Sequence, residues 1–265
     1  MLELAFLAHN DAVDRVLAAV VRELTAVFPH RILAIYLTGS AVDGTLVAGS
    51  DLDLLPIFAG EFVEDEADRC RAWGRSWQGA WPQGAWPLDV EPACLAQLTQ
   101  TGATGLKQSA VLLAGRDIRD QVPWEPLENF RRDVILGFMA YAAELRGAPA
   151  TLHWPLTHPN PDDEFFGYAP ADTRLLLKTV LLGATVRVLL ATGIRCRSKL
   201  DAVRQYGAVF GGETAVWLAT LHERCKMQWH YHIPADRAAL RALLQPVLAF
   251  ENEVADVLGD LEIGD

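Results

Sequence analysis

Residues 37–55 read LTGSAVDGTLVAGSDLDLL, and the two ends of this stretch decide how the rest of the chain is organised. At the far end stands Asp51-Leu52-Asp53-Leu54. In a strand, side chains at i and i+2 point to one face, so Asp51 and Asp53 project together. Leu52, Leu54 and Leu55 are expected to supply the opposite, buried face. Two carboxylates side by side repel unless a cation sits between them. Mg²⁺ is the natural cation, because it takes one or two carboxylates together with substrate phosphate oxygens. A bare pair of solvated aspartates at a strand end is the plainer alternative. The near end, Gly39-Ser40, changes that balance. Glycine lets the backbone approach a ligand without a Cβ clash. Ser40 adds a hydroxyl and an N–H, and amides at the start of a short helix there would form an anion cradle.

Outward from this stretch, Arg31–Leu37 (RILAIYL) reads as a buried strand and Asp51–Phe58 (DLDLLPIF) as a second. Before them, Val13, Val16, Leu17, Val20, Val21, Leu24, Val27 and Phe28 recur at helical spacing, with Asn10 or Asp11 as cap. Glu61–Trp77 is expected to be an exposed helix. Pro87–Cys94 (PLDVEPAC) is a third strand, and it carries Asp89 and Glu91, again i and i+2. Asp89 is the preferred third carboxylate, because it follows Leu88 at the strand entrance as Asp51 opens its own strand. Glu91, next to Pro92, reads as a solvated strand end. Three carboxylates around two metal ions would permit in-line attack on phosphorus, with the third able to serve as general base. Thr38 and Ser40 are poor covalent nucleophiles, since no histidine lies near them in sequence.

From about Trp124 the pattern turns helical, over roughly 125–146, 172–192, 199–208, 212–226 and 235–258. Between the first two lies HWPLTHPNPDDEFFGYAP, with prolines at 155, 159, 161 and 170, which cannot be helix interior and reads as an ordered loop. The fold class is therefore α+β: a small domain over residues 1–123, with a mixed sheet flanked by helices, then an all-α bundle over 124–265.

The two ends of the 37–55 stretch resemble the signature of the DNA-polymerase-β-like nucleotidyltransferase superfamily, hG[GS] followed after about ten residues by Dh[DE]h. Within it, the chain most resembles the aminoglycoside O-nucleotidyltransferases that modify streptomycin and spectinomycin. Val111–Ile118 (VLLAGRDI) is similar to the segment that closes their first domain. Arg187–Lys199 (RVLLATGIRCRSK) resembles their helix, Thr-Gly turn and basic residue ahead of the next helix. The resemblance implies a nucleotidyltransferase fold whose cleft is closed by the helical domain. It implies transfer of AMP from ATP to an acceptor hydroxyl with pyrophosphate release. It also implies Asp51, Asp53 and Asp89 as metal-binding catalytic residues for two Mg²⁺ ions, and Gly39, Ser40, Ser50, Arg187 and Lys199 as nucleotide-binding residues. The acceptor is expected to be an aminoglycoside-like small molecule, and antibiotic resistance the role. Two alternatives keep parts of this reading: an antitoxin-like enzyme that adenylylates a protein, or a non-catalytic nucleotide-binding module. Thr38 departs from the aromatic residue common before the glycine. Pro56 suggests that the second strand is short or at an edge beyond it.

The residues themselves support cations at 187 and 199. Lys178 and Arg187 interrupt an otherwise apolar helix, which is costly unless they reach solvent or an anion. A triphosphate is one such anion; a partner carboxylate is the other explanation, and the better one for Lys178. Lys199 follows Ser198 at a helix start, where a cation opposes the helix dipole and a phosphate would relieve the conflict.

Composition narrows the partners. The chain has 265 residues, 23 Lys+Arg against 34 Asp+Glu, and a net charge of −11. That argues against duplex nucleic acid, which needs clustered cations, and tolerates a cationic acceptor. Four scattered cysteines make neither a metal knuckle nor a disulfide scaffold and read as reduced, mostly buried thiols. The N-terminus lacks the basic segment of a signal peptide, and no run of 18 apolar residues was found, so a cytoplasmic location without membrane contact is expected. Oligomeric state has no sequence signal. Trp73, Trp77, Trp81 and Trp86 cluster within fourteen residues; Trp73 and Trp77, one helical turn apart, read as packing against the sheet, an acceptor wall being the alternative. Asp162-Asp163-Glu164 reads as a solvated run, or else a clamp for a polyamine-like acceptor. Trp229–His232 reads as a surface turn before Pro234.

Overall fold

The computed structural model describes residues 4–6, 8, 10–77, 86–147, 152–168 and 170–259. Trp81 lies outside them. The chain divides into two compact units, Met1–Pro126 and Leu127–Asp265.

The first unit begins with α1 (Asp11–Val27), whose first turn is capped by the Asn10 side chain accepting from the N–H groups of Ala12 and Val13. Its Val13, Val16, Leu17, Val20, Val21 and Leu24 are buried, as their spacing requires. There follow β1 (Ile32–Thr38), a 3₁₀ turn (Gly39–Ala41), β2 (Leu52–Phe58), α2 (Glu66–Trp77), β3 (Leu88–Val90), β4 (Ala93–Cys94), α3 (Leu95–Thr101), α4 (Thr104–Gln108) and β5 (Val111–Gly115). The strands run in the order β3-β2-β1-β5, with β4 also on β2. β1 is antiparallel to β2 and β5, whereas β3 and β4 are parallel to β2, so the sheet is mixed.

Alternation along β1 sorts the sheet into two faces. Ile35 and Leu37 join Leu52, Leu54 and Phe58 in one buried cluster with α1 and α2. Ala34 and Tyr36 join Ile57, Leu98, Leu106 and Ile118 in the other. Leu55 packs with this second cluster, on the side of Asp53, and so does not share the face of Leu52 and Leu54 as expected. Strict period-two alternation from Asp51 through Asp53 and Leu55 to Ile57 accounts for it.

The expected third strand is two strands, because Pro92 interrupts it. The same break explains Pro56. β2 is interior and runs through the proline to Phe58, contrary to the expectation of a short or edge strand. Leu54 pairs with Val90 and Ile57 with Ala93, so Pro56 faces the gap between β3 and β4, where no ladder runs. α2 starts at Glu66 and not at Glu61. Glu66 caps the preceding turn by accepting from Val63 N–H and pairs with Arg31, which also binds the Ala59 and Glu61 carbonyls.

The second unit comprises α5 (Leu127–Leu145), α6 (Arg174–Thr192), α7 (Lys199–Val209), α8 (Gly212–His222), a π-helical segment (Glu223–Gln228), α9 (Arg237–Leu244) and α10 (Val247–Gly259). Pro246 separates α9 from α10, which were expected as one helix. α6 is the central helix, packed by α5, α7, α8 and α10. It is long and apolar enough to cross a membrane, which the sequence reading did not anticipate, but most of its apolar residues from Leu176 to Leu189 are buried inside the unit. The proline-rich loop is ordered. Leu156 exchanges two hydrogen bonds with the Asn252 side chain, and Arg241 donates to the carbonyls of Asp163 and Glu164. All four cysteines are free and three are buried.

Candidate active site

Strand register builds the site. In the parallel pair β2–β3, Asp53 lies opposite Asp89; in the antiparallel pair β1–β2, Thr38 lies opposite Asp53. The Gly39 turn, the two aspartates and Asp89 are thereby brought to one end of the sheet. Carboxylate oxygens of Asp51, Asp53 and Asp89 all lie within 4.8 Å of one another. At such a separation each pair of charges repels by roughly 3–4 kcal/mol at an effective dielectric near 20. Three carboxylates held this close could hold a divalent cation between them. Glu91 is turned elsewhere: its Oε2 accepts from Arg71 Nε at 3.1 Å. The choice of Asp89 over Glu91 thus matches the geometry.

Gly39 is sterically obligatory. Its φ is +67°, and a Cβ there would lie 1.9 Å from Asp53 Oδ2. Any other residue would push the Asp53 carboxylate away from its neighbours. The turn that follows is closed by Val42 and Asp43 N–H groups on the Gly39 carbonyl. Ser40 is 9 % exposed, and its Oγ is buried without a hydrogen-bond partner. A buried hydroxyl is ordinarily satisfied, so an unpaired one in the turn that follows Gly39 stands out. Ser50 is buried and its hydroxyl accepts from Val47 N–H at 3.1 Å, closing the turn that delivers Asp51. The donor set is all oxygen, which fits Mg²⁺.

VLLAGRDI ends in a network that sequence reading did not foresee. Tyr36 OH donates to Asp117 at 2.9 Å and accepts from Ile118 N–H at 2.8 Å. Burial pushes the Tyr36 hydroxyl up to about 12, while Arg119 holds Asp117 well below the usual carboxylate range. The network fastens the chain after β5 to the middle of β1.

In the second unit, α6 ends at a left-handed Gly193, and Lys199 opens α7 behind the Ser198 cap, as the Thr-Gly turn implied. Arg187 is an ion-pair partner: its guanidinium donates to the Glu253 carboxylate and carbonyl and stacks on Phe210 at 5.0 Å. Lys178 lies 4.3 Å from the Tyr141 ring, and no carboxylate pairs with it among the described residues. The carboxylate explanation therefore belongs to Arg187, and the expectation for Lys178 is corrected. Asp163 is a turn former, accepting from Phe165 and Gly167 N–H groups, and Glu164 faces Arg237 at 3.9 Å. Trp73 and Trp77 rings lie 5.6 Å apart against the sheet core. In the turn at Trp229–His232, Tyr231 is buried under Arg174 and not at the surface.

No family model and no curated protein sequence matches the chain. Among solved structures, it is similar to the crystal structure of spectinomycin adenyltransferase AAD(9) from Enterococcus faecialis with ATP and spectinomycin. The TM-score is 0.54 at 12% identity, over 89% of this chain and 98% of that one. The likeness is one of fold: a mixed sheet flanked by helices followed by a helical part, shared with a nucleotidyltransferase.

Proposed function

We propose that the protein is a metal-dependent nucleotidyltransferase that moves AMP from ATP to a hydroxyl of an aminoglycoside-like small molecule. The observation that carries this reading is the convergence of Asp51, Asp53 and Asp89 on one point beside a glycine that only fits because it lacks a side chain. Asp51, Asp53 and Asp89 would hold Mg²⁺, which when bound neutralises triphosphate charge and favours departure of pyrophosphate. Gly39 presents its bare backbone to the phosphates, Ser40 offers its unpaired hydroxyl, and Ser50 holds the loop that delivers Asp51. Asp89, the most exposed of the three carboxylates, faces the acceptor and takes the proton from its hydroxyl. The O–H bond breaks, the oxygen bonds the α-phosphorus, and the bond from that phosphorus to the pyrophosphate oxygen breaks. Arg187 and Lys199 add cations for the triphosphate, Arg187 exchanging Glu253 for phosphate. The fold shared with an adenyltransferase supports the reaction class and the choice of ATP.

The test is a screen for pyrophosphate release from ATP, GTP, CTP and UTP, with Mg²⁺, against aminoglycosides, aminocyclitols and neutral polyols. Release that needs both ATP and an amino-sugar acceptor is the expected result. Labelling of proteins in a lysate by ATP, with no small-molecule acceptor, would point to the protein-adenylylating alternative. ATP binding without release under any condition would reduce the site to a binding module.

A further inference from the structure

β3 is a ribbon of three residues, Leu88–Val90, at the end of the strand order, and it carries Asp89. Its three ladder positions against Leu52, Asp53 and Leu54 are a short hold for a metal ligand. Period-two alternation puts Leu88 and Val90 in the core cluster with α1 and α2, and exposed Asp89 on the opposite face with Asp53. Whatever presses on Leu88 and Val90 from behind therefore moves Asp89. We infer that Gly74, on α2, is a positioning residue for Asp89, setting the place of β3 and so the geometry of the three carboxylates. This role rests on the metal reading of the aspartates and adds to it an element that touches no ligand.

α2 reaches the ribbon through Cys70, Gly74 and Trp77, buried at i, i+4 and i+7 on one helix face. A Cβ at Gly74 would lie 2.5 Å from Val90 Cγ2 and 2.8 Å from Val90 Cβ. Neither atom can swing aside, since valine is stiff at χ1 and its Cβ follows the backbone. Gly74 is helical, so backbone freedom is not what it supplies. Glycine is, proline apart, the poorest helix former, and its place inside a 12-residue helix needs a packing reason. That reason is an approach to Val90 that no other residue allows. A second tie follows at once: Arg71 Nε, also on α2, donates to Glu91 Oε2 at 3.1 Å. α2 thus grips the chain at Val90 and Glu91, directly after Asp89.

An alanine at 74 would have to open its contact with Val90 Cγ2 from 2.5 Å to the roughly 3.5 Å of ordinary carbon contact. The ribbon would carry Asp89 with it, while Asp53 stays in interior β2. Mg²⁺ demands near-ideal octahedral geometry, so a displacement of that size in one of three ligands weakens binding.

The experiment measures Mn²⁺ binding, which uses the same oxygen ligands as Mg²⁺, by electron paramagnetic resonance of the free ion without nucleotide. The proteins are full-length wild type, Gly74→Ala, Val90→Ala, the double variant of these two, Val21→Ala and Asp53→Asn. Gly74→Ala should raise the Mn²⁺ Kd by about tenfold or more. The double variant should recover at least about threefold of that loss, because the nearest clash, with Cγ2, is gone. Val21→Ala, a buried core variant on α1, should lower the unfolding temperature and leave Kd as it was, which is also what a merely structural Gly74 would do. Should Gly74→Ala not fold, the double variant is compared with Val90→Ala. It should still bind Mn²⁺ severalfold more weakly, since the 74 and 90 Cβ atoms would meet at 2.8 Å. An unchanged Kd in Gly74→Ala, no recovery in the double variant, or no difference in that last comparison overturns the positioning role alone. Mn²⁺ bound by the wild type no more tightly than by Asp53→Asn overturns the metal site and the positioning role with it.

Discussion

The acidic end of the sheet and the basic end of the helical unit were both read as ligand sites, and they differ in how their side chains are held. Asp53 and Asp89 have short side chains on strands whose register is set by backbone pairing, and Asp51 stands directly ahead of β2, so the carboxylates meet whatever the side chains prefer. Arg187 is long and flexible on a buried helix, and it has found a carboxylate of its own in Glu253. Short side chains on paired strands report the backbone. Long side chains on helices report whichever partner is nearest.

The sharpest way to break this comparison is Asp53→Asn. It should lower AMP transfer by about 10²–10³-fold or more. Its unfolding midpoint without Mg²⁺ should hold or rise, because one of three mutually repelling charges is gone. A fall in stability with activity retained would mean that the cluster is structural. Gly39→Ala should cost both: a comparable loss of transfer, and about 1–3 kcal/mol by urea titration, from the positive φ and the clash with Asp53. The pair separates charge from shape at the same site.

On the basic side, His222 gives a pH test. It is 5 % exposed, its Nε2 is unpartnered, and burial first, then Lys226, Lys199 and Arg204, pull its imidazole down to about 4 against an opposing Glu223. The unfolded chain binds this proton near 6.5, so between about 6.5 and 4 the unfolded state holds more protons and stability falls as pH falls. The His222 contribution should reach roughly 3 kcal/mol at the bottom of that window. His222→Gln should flatten that part of the profile, as read by unfolding at pH 7, 6, 5 and 4. A profile unchanged by the substitution would show that His222 is not the group responsible.

Arg187→Ala is the smallest effect and the one that sharpens the comparison most. With Glu253 partly solvated, stability should drop by about 1–2 kcal/mol. If instead stability holds and KM for ATP rises severalfold, Arg187 is a phosphate residue whose pairing with Glu253 gives way to the nucleotide.

What could be read in advance follows the same division. The helical periodicity of α1, the β-branched and aromatic run of β1 and the i, i+2 aspartates are local patterns, and from them the first helix, the first two strands and the shared face of Asp51 and Asp53 were expected. Asp89 was preferred to Glu91 from its place in the strand alone; Asp89 lies near Asp51 and Asp53, whereas Glu91 pairs with Arg71 on α2, a partner that no local pattern names. The steric bond between Gly39 and Asp53 was foreseen only as backbone freedom, because it joins strands fourteen positions apart. The Tyr36–Asp117 link and the Arg187–Glu253 pair were invisible, since nothing in a linear string says which distant partner a side chain will meet. Pro56 misled for the same reason: a proline is tolerated inside a sheet when its neighbour happens to break at the same level. α3 and α4, at seven and five residues, are too short to leave a periodic trace.

The division of the third strand at Pro92 has one more consequence. Asp89 hangs from a three-residue ribbon on the flank of the sheet, whereas Asp53 belongs to interior β2 and Asp51 directly precedes it. Flanking ribbons fray first, so amide exchange at 88–90 should be fast in the bare protein and slow once divalent ion is added, with 52–58 protected throughout. One third of the site would then be assembled by its own cargo, and occupancy would be legible as local rigidity.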